Sequence, residues 1–223
     1  VILNFGEGDR WKYILTGFQN TLIITFFALI VGVALGFLIA LVRVMHDTSG
    51  RLRPLNWLAK LYLTVIRGTP VVLQLMIIYY VVFASVNVNK VLAAVIAFGI
   101  NSGAYVAEIF RSGIMSIDKG QMEAGRSLGL SYNQTMWRII MPQAIKNVLP
   151  ALGNEFSTLS KEPSVSGSLA VHDLTKGGDI IRSRTFEAFL PLIAVALIYL
   201  CLVMLLQAGV TRLERRLARS DRR

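Results

Sequence analysis

Two uninterrupted apolar stretches dominate the pattern of polar and hydrophobic positions along the chain. The stretches from Leu22 to Val42 and from Ala188 to Val210 contain no charged side chain. Each matches the roughly 20 apolar residues that a helix needs to cross about 30 Å of hydrocarbon. The pattern therefore predicts transmembrane spans at approximately 17–43 and 187–210.

Three less regular apolar segments lie between these two, and polar residues interrupt each of them. They are predicted as spans at 59–86, 91–115 and 139–161. In the first of the three, Pro70 removes a backbone donor and disfavours helix at Thr69, so we expect a bend or break there. Because unpaired polar groups are costly in lipid, all three segments should face protein or water rather than acyl chains.

These patterns predict an all-α integral membrane protein of about five transmembrane helices, forming a single domain over residues 1–223. A loop at 116–138 separates helices three and four, and a tail occupies 211–223. The composition agrees, since 54% of the residues are hydrophobic and only 16% are charged, which is too apolar for an ordinary soluble domain.

The distribution of charge predicts the orientation of the chain. The segment after the first span and the segment containing the 116–138 loop each carry three more basic than acidic residues, and the tail carries four more. The N-terminal segment and residues 161–187 are neutral. The positive-inside rule therefore puts the N-terminus outside and the C-terminus in the cytoplasm. It also explains the net charge of +10 without nucleic-acid binding.

The 116–138 loop is too well patterned for a disordered tether. Residues 123–128 favour a short helix, and Gly129 is placed to end it. Ser131 is a candidate N-cap for a second short helix that runs through Trp137. The loop is predicted to be a compact cytoplasmic knob.

The knob also contains residues at a characteristic spacing, which are Glu123-Ala124-Gly125, Gly129, Ile139 and Met141-Pro142. This arrangement resembles the EAA loop of bacterial ATP-binding cassette permeases, whose pattern is EAA, three residues, G, nine residues, I, one residue, L and P. There are two departures, because Gly125 replaces the second alanine and Met141 replaces leucine. Gly125 should lower helix propensity by roughly 1 kcal/mol relative to alanine.

Further motifs narrow the resemblance to permeases for polar amino acids. They are Arg67-Gly68-Thr69-Pro70, Gln74-Leu75, Tyr79-Tyr80, Ala104 to Ile109 with Arg111, Gly120-Gln121 and Pro142-Gln143-Ala144. The similarity covers most of the chain, from about Thr16 to Leu206. It is weakest where that family usually has K-[DE]-T-S-L, because this chain has Lys161-Glu162-Pro163-Ser164-Val165.

The resemblance implies a permease subunit of a bacterial ATP-binding cassette importer in the cytoplasmic (inner) membrane. Its partners would be two cytoplasmic ATPase subunits, a second permease subunit that is identical or paralogous, and a periplasmic or extracellular solute-binding protein. The 116–138 loop would be the coupling loop, with ATPase contacts at Glu123, Ala124, Gly125, Arg126, Leu128 and Gly129. The chain has no G-x-x-x-x-G-K-[ST] phosphate loop. It is therefore expected to be non-catalytic and without a cofactor, with ATP and magnesium bound by the ATPase.

A polar path through the membrane is suggested by residues that share a helix face. Asn101, Tyr105 and Glu108 stand at i, i+4 and i+7 near the middle of the third span. The hypothesis is that a zwitterionic amino acid passes a lining of Arg67, Thr69, Gln74, Asn101, Tyr105, Glu108 and Glu155. The alternative for Glu108 is a structural ion pair with Arg111 or with Arg67.

Other interpretations stay open at this point. An ion-coupled secondary amino-acid transporter or a channel is the main alternative function, although neither needs the EAA loop. Gly32 and Gly36, and likewise Gly99 and Gly103, have the G-x-x-x-G spacing that permits close helix approach, either inside the chain or between subunits. No metal site is expected, and Cys201 within the last apolar stretch predicts no redox role.

Overall fold

A computed structural model describes residues 5–169 and 171–220, with side chains placed as far as Arg216. The described part is almost entirely helical. The helices are α1 (Trp11–Ser49), α2 (Arg53–Gly68), α3 (Val71–Ile77), α4 (Lys90–Met115), α5 (Lys119–Ser127), α6 (Tyr132–Thr135), α7 (Met141–Leu159), α8 (Leu174–Thr185) and α9 (Phe189–Ser220). π-Helical turns continue α3 over Ile78–Val82 and join α6 to α7 over Met136–Ile140, and 3₁₀ turns cover Glu7–Asp9 and Glu162–Leu169.

Helices α1 and α4 form the centre of the fold, and small residues bring them together. A Cβ atom at Gly36 would lie 2.7 Å from the Val106 side chain, and one at Gly32 would lie 3.0 Å from Ser102 Oγ. The contacts advance in the same direction along both helices, which therefore run parallel. The G-x-x-x-G spacing of α1 thus serves packing inside the chain.

The predicted break at Pro70 is confirmed. Helix α2 ends at Gly68, Thr69 is extended with φ −121° and ψ 147°, and α3 begins after Pro70. The axes of α2 and the α3 segment differ in direction by 110°. The segment 59–86 is therefore two helices joined at a sharp bend rather than one straight span.

Three helices in the described part of the chain are long and apolar enough to cross a membrane, namely α1, α4 and α9. The bent pair of α2 and α3 raises that number to four if it counts as one span. Helix α7 occupies most of the predicted span 139–161, but its polar residues keep it below this standard, and it contains Pro150. The total of five spans stays a prediction.

The last helix is longer than the apolar pattern indicates. The tail at 211–223 begins as a continuation of α9, which runs to Ser220. Thr211 to Ser220 contains no glycine or proline and is rich in arginine, leucine and alanine, so its sequence supports helix after hydrophobicity ends. The remaining three residues of the predicted tail lie outside the described part.

Candidate functional site

The knob between α4 and α7 is built by local capping. The Asp118 side chain accepts a hydrogen bond of 2.6 Å from the Gly120 amide at the start of α5. Gly129 follows α5 with φ +85°, a left-handed conformation that suits glycine. Ser131 and Gln134 then form a reciprocal capping box that starts α6. The predicted short helix, its end at Gly129 and the cap at Ser131 are confirmed, with α5 beginning earlier, at Lys119.

Gly125 holds the two parts of the knob together. A Cβ atom at this position would lie 2.5 Å from Thr135 Cγ2 and 3.1 Å from Ile139 Cδ1. Thr135 is completely buried, and its hydroxyl donates a hydrogen bond of 3.0 Å to the Ser131 carbonyl. The departure from the second alanine of the EAA pattern therefore has a packing reason, because the absence of a side chain lets α5 lie directly on α6.

The other five residues predicted to contact an ATPase lie on the outside of the knob. Gly125 is buried in the knob, and its predicted contact with an ATPase stays a prediction. The Leu128 side chain is 82% exposed and the nearby Trp137 is 57% exposed. The exposed members of the predicted contact set are Glu123, Ala124, Arg126, Leu128 and Gly129.

A cleft of about 810 Å³ separates the knob from the end of α1. The Thr48 and Tyr132 hydroxyl groups lie 3.2 Å apart and connect α1 to α6. On the other side of the knob, Asn147 of α7 donates a hydrogen bond of 3.0 Å to the Ser116 hydroxyl. The knob is therefore attached to two of the long helices by side-chain contacts.

Three predicted path residues form one hydrogen-bonded unit at the bend, which we call the amide latch (Thr69, Gln74 and Asn101). Gln74 Nε2 donates to the Ile66 carbonyl at 2.7 Å and to Thr69 Oγ1 at 2.8 Å. Asn101 Nδ2 donates to Gln74 Oε1 at 2.9 Å. The bend leaves carbonyl groups at the end of α2 without helical partners, and the latch satisfies them.

Glu155 lies on α7 and contacts α4 at Ser102, the residue that follows Asn101 of the latch. Ser102 Oγ donates a hydrogen bond of 2.8 Å to Glu155 Oε1. Glu162 begins the 3₁₀ turn that follows α7, seven residues after Glu155, and its Oε2 atom is buried without a hydrogen-bond partner among the described residues. We call Glu155 and Glu162 the acidic pair. An unsatisfied buried carboxylate oxygen has the chemistry to receive a cationic donor.

Glu108 is engaged in ion pairs with neighbouring arginines. Its Oε1 atom lies 3.1 Å from Arg43 Nη1, and its Oε2 atom lies 3.3 Å from Arg111 Nε. Arg67 forms neither of these pairs, and its guanidinium lies over the Tyr105 ring at 5.5 Å from the centroid. Of the two structural alternatives, the geometry matches the Arg111 pair, and Arg43 is a partner that the sequence did not suggest.

The seven predicted path residues therefore divide into separate groups. The latch and Glu155 flank α4 at the level of Asn101 and Ser102. Tyr105, Glu108 and Arg67 belong to a second group, since Glu108 lies seven residues, or about 10 Å, further along α4 than Asn101. Sequence reasoning missed Ser102, Glu162 and Arg43. The signal for Glu162 in the sequence was its position as the acidic residue next to Lys161. The signal for Arg43 was its position seven residues after Gly36, which is two turns further along α1.

Comparison with known proteins places this arrangement in context. The family described as "binding-protein-dependent transport system inner membrane component" matches residues 32–219. The arginine transport system permease protein ArtQ of Bacillus subtilis (strain 168) is 38% identical over 94% of both chains. A probable glutamine ABC transporter permease protein, GlnM, of the same organism is 39% identical over 95% of this chain and 96% of its own length.

Solved structures agree with these relatives. The crystal structure of an amino acid ABC transporter with histidines contains a chain that superposes with a TM-score of 0.83 at 42% identity, covering 92% of this chain and 94% of that one. A chain of the methionine transporter MetNI in an inward-facing conformation superposes with a TM-score of 0.81 at 19% identity, covering 95% and 99%. The second similarity is one of fold alone.

Proposed function

Since this chain belongs to the family of binding-protein-dependent transport system inner membrane components, we propose that it carries polar amino acids into bacterial cytoplasm as an importer permease. The proposal places it in the cytoplasmic membrane with its N-terminus outside and its C-terminus inside. The relatives named for arginine and glutamine transport support an amino-acid cargo. The excess of basic residues on one side supports the orientation.

The proposed assembly contains two cytoplasmic ATPase subunits, a second permease subunit and an external solute-binding protein. ATP and magnesium belong to the ATPase subunits, and this chain supplies the membrane path. The knob supports this division of roles, because it exposes Trp137, a residue type enriched at protein interfaces, as well as the apolar side chain of Leu128. In this proposal the exposed predicted set Glu123, Ala124, Arg126, Leu128 and Gly129 forms the ATPase contact.

Movement of the ATPase reaches the path through the helices that hold the knob. Capping and the Gly125–Thr135 contact make the knob a compact body. A compact body attached to α1 and α7 transmits a displacement better than a flexible loop does. We expect the permease to alternate between two rigid-body states, one favoured by ATP and the other by release of nucleotide.

We infer the class of substrate from the polar groups near Ser102. The buried Oε2 atom of Glu162, which has no hydrogen-bond partner in the described part of the chain, is the single observation on which the assignment rests. In this proposal the acidic pair receives the ammonium group of the amino acid, because a buried carboxylate binds a cationic donor strongly. The latch, formed by Thr69, Gln74 and Asn101, keeps the bent path open beside it.

Stimulation of ATP hydrolysis in the reconstituted complex tests the proposal. Each amino acid is added with the solute-binding protein, and we expect polar amino acids to stimulate hydrolysis more than apolar ones. Glu155→Gln should raise the half-stimulating concentration about tenfold, since it removes a charge-assisted contact. Glu7→Gln is the matched control, because Glu7 is exposed near the N-terminus. Equal concentrations for both variants would remove Glu155 from the substrate site.

A further inference from the structure

A second pocket lies between α1, α2 and α4, at the level of Glu108. It has a volume of about 500 Å³ and is lined by three basic side chains, Arg43, Lys60 and Arg67, against the single carboxylate of Glu108. We call it the inner basic pocket. Basic side chains outnumber acidic ones in this pocket, whereas the acidic pair consists of two carboxylates.

The carboxylate in this pocket does not neutralise the basic side chains. Glu108 already accepts from Arg43 and from Arg111, so its charge is shared between two guanidinium groups. The Arg43 Nε atom is buried and has no hydrogen-bond partner among the described residues. A buried donor without a partner is uncommon and marks a place where an acceptor is missing.

Lys60 and Arg67 add two further donors that have no carboxylate partner in the described part of the chain. With Thr64 they occupy i, i+4 and i+7 of α2 and therefore share one face of that helix. The Tyr105 ring supports the face of the Arg67 guanidinium. This stacking leaves the N–H groups at the edge of the guanidinium available to an anion.

The pocket lies towards the end of the molecule that carries the knob. Lys60 is seven residues into α2, and Arg43 is six residues before the end of α1, which correspond to about 10 Å along each helix. In the orientation proposed above, this position is on the cytoplasmic side of the amide latch.

We propose that the inner basic pocket binds the carboxylate group of the transported amino acid as it leaves the acidic pair for the cytoplasm. This inference rests on the proposed function, which supplies the cargo. A guanidinium matches a carboxylate by paired hydrogen bonds, and Lys60 adds a mobile charge at the rim. The acidic pair thus binds the ammonium group in the middle of the path, and the basic pocket binds the carboxylate nearer the exit.

A ligand that has a carboxylate but no ammonium group isolates this site from the acidic pair. Radiolabelled N-acetyl-L-glutamine is titrated against the assembled complex, without nucleotide, in phosphatidylcholine nanodiscs. We expect Lys60→Gln to weaken its binding about threefold, and Lys60→Gln combined with Arg67→Gln to weaken it about tenfold. Lys12→Gln, which removes an exposed charge near the N-terminus, should leave the affinity unchanged.

Equal affinity in the wild type and the double variant, with the complex still assembled, would overturn the inference. So would displacement of the probe by phosphatidylglycerol in the nanodisc, because the oxyanion in the pocket would then be a lipid phosphate. Failure of the proposed function gives a different result. In that case no amino acid stimulates ATP hydrolysis, whatever the variants do to the binding of N-acetyl-L-glutamine.

Discussion

The knob and the polar path satisfy their polar groups in opposite ways. In the knob, Ser131 bonds to Gln134 and Asp118 to Gly120, so partners lie within three residues of each other. In the path, Asn101 bonds to a residue 27 positions away, and Ser102 to one 53 positions away. The polar groups of the knob are therefore satisfied locally, whereas those of the predicted path are satisfied only when the long helices are in place.

This difference fits the two tasks in the proposed mechanism. The knob must keep its shape while it moves, and its local helix caps stabilise that shape. A path must open and close, and hydrogen bonds between separate helices respond to small shifts of those helices. Variants in the knob and variants in the path should therefore differ in which property of the protein they change, as well as in the size of the change.

The largest effect is expected from Gln74→Leu in the path. This change leaves the Ile66 and Thr69 carbonyls and the Asn101 amide without their partner at the bend. We expect a loss of about 3 kcal/mol in the free energy of unfolding, measured in detergent, together with loss of transport. Gln19→Leu is the control, because Gln19 is exposed on α1. Equal stability of the two variants would mean that the latch does not hold the bend.

A smaller effect is expected from Gly125→Ala in the knob. The added methyl group collides with Thr135, so the variant should lose about 2 kcal/mol and bind the ATPase subunit more weakly. Thr135→Ser removes the Cγ2 atom and should restore part of the binding. Gly209→Ala is the matched control, since a Cβ atom at Gly209 meets nothing within 4 Å. An unimpaired Gly125→Ala protein would show that the two knob helices are loosely packed.

Removal of the cap on α6 should have a still smaller effect. Ser131→Ala deletes the acceptor for the Gln134 amide and should lower stability by about 1 kcal/mol. Ser131→Asp preserves an acceptor at the same position and should behave like the wild type. The comparison uses chemical unfolding in detergent, and the account of the knob as a capped unit fails if alanine and aspartate are equivalent.

The smallest effect is expected where the knob meets α1. Tyr132→Phe removes the hydroxyl that lies 3.2 Å from Thr48 Oγ1, an exposed contact worth about 0.5 kcal/mol. Tyr80→Phe is the control, because Tyr80 is exposed at the other end of the molecule. If the contact transmits movement, Tyr132→Phe lowers the transport rate per ATP hydrolysed while Tyr80→Phe does not. Identical ratios would limit the contact to a structural role.

The sequence predicted the knob well because its signals are local. Gly129 and Ser131 act on their own neighbours, and Pro70 acts on Thr69, so propensity and capping rules apply directly. The long apolar helices α1 and α9 were equally visible, since an uncharged stretch of that length has one dominant explanation. The helical extension of α9 to Ser220 was missed because hydrophobicity ends before the helix does.

The path was only partly predictable, because its contacts depend on which helices pack together. Asn101, Tyr105 and Glu108 were correctly placed along one helix, but nothing local indicates that Asn101 bonds to Gln74 while Glu108 bonds to Arg43. The G-x-x-x-G spacing of α1 was the available clue to the second contact. It permits close approach without identifying the partner, and α4 emerges as that partner only in three dimensions.

The energy source of amino-acid uptake tests the central claim most directly. Proteoliposomes containing this chain and its ATPase subunits are given the solute-binding protein and a radiolabelled polar amino acid, with either ATP or an ion gradient. The account predicts accumulation with ATP and the binding protein, and none with the gradient alone. Uptake driven by an ion gradient without the ATPase would contradict the account and identify a secondary transporter.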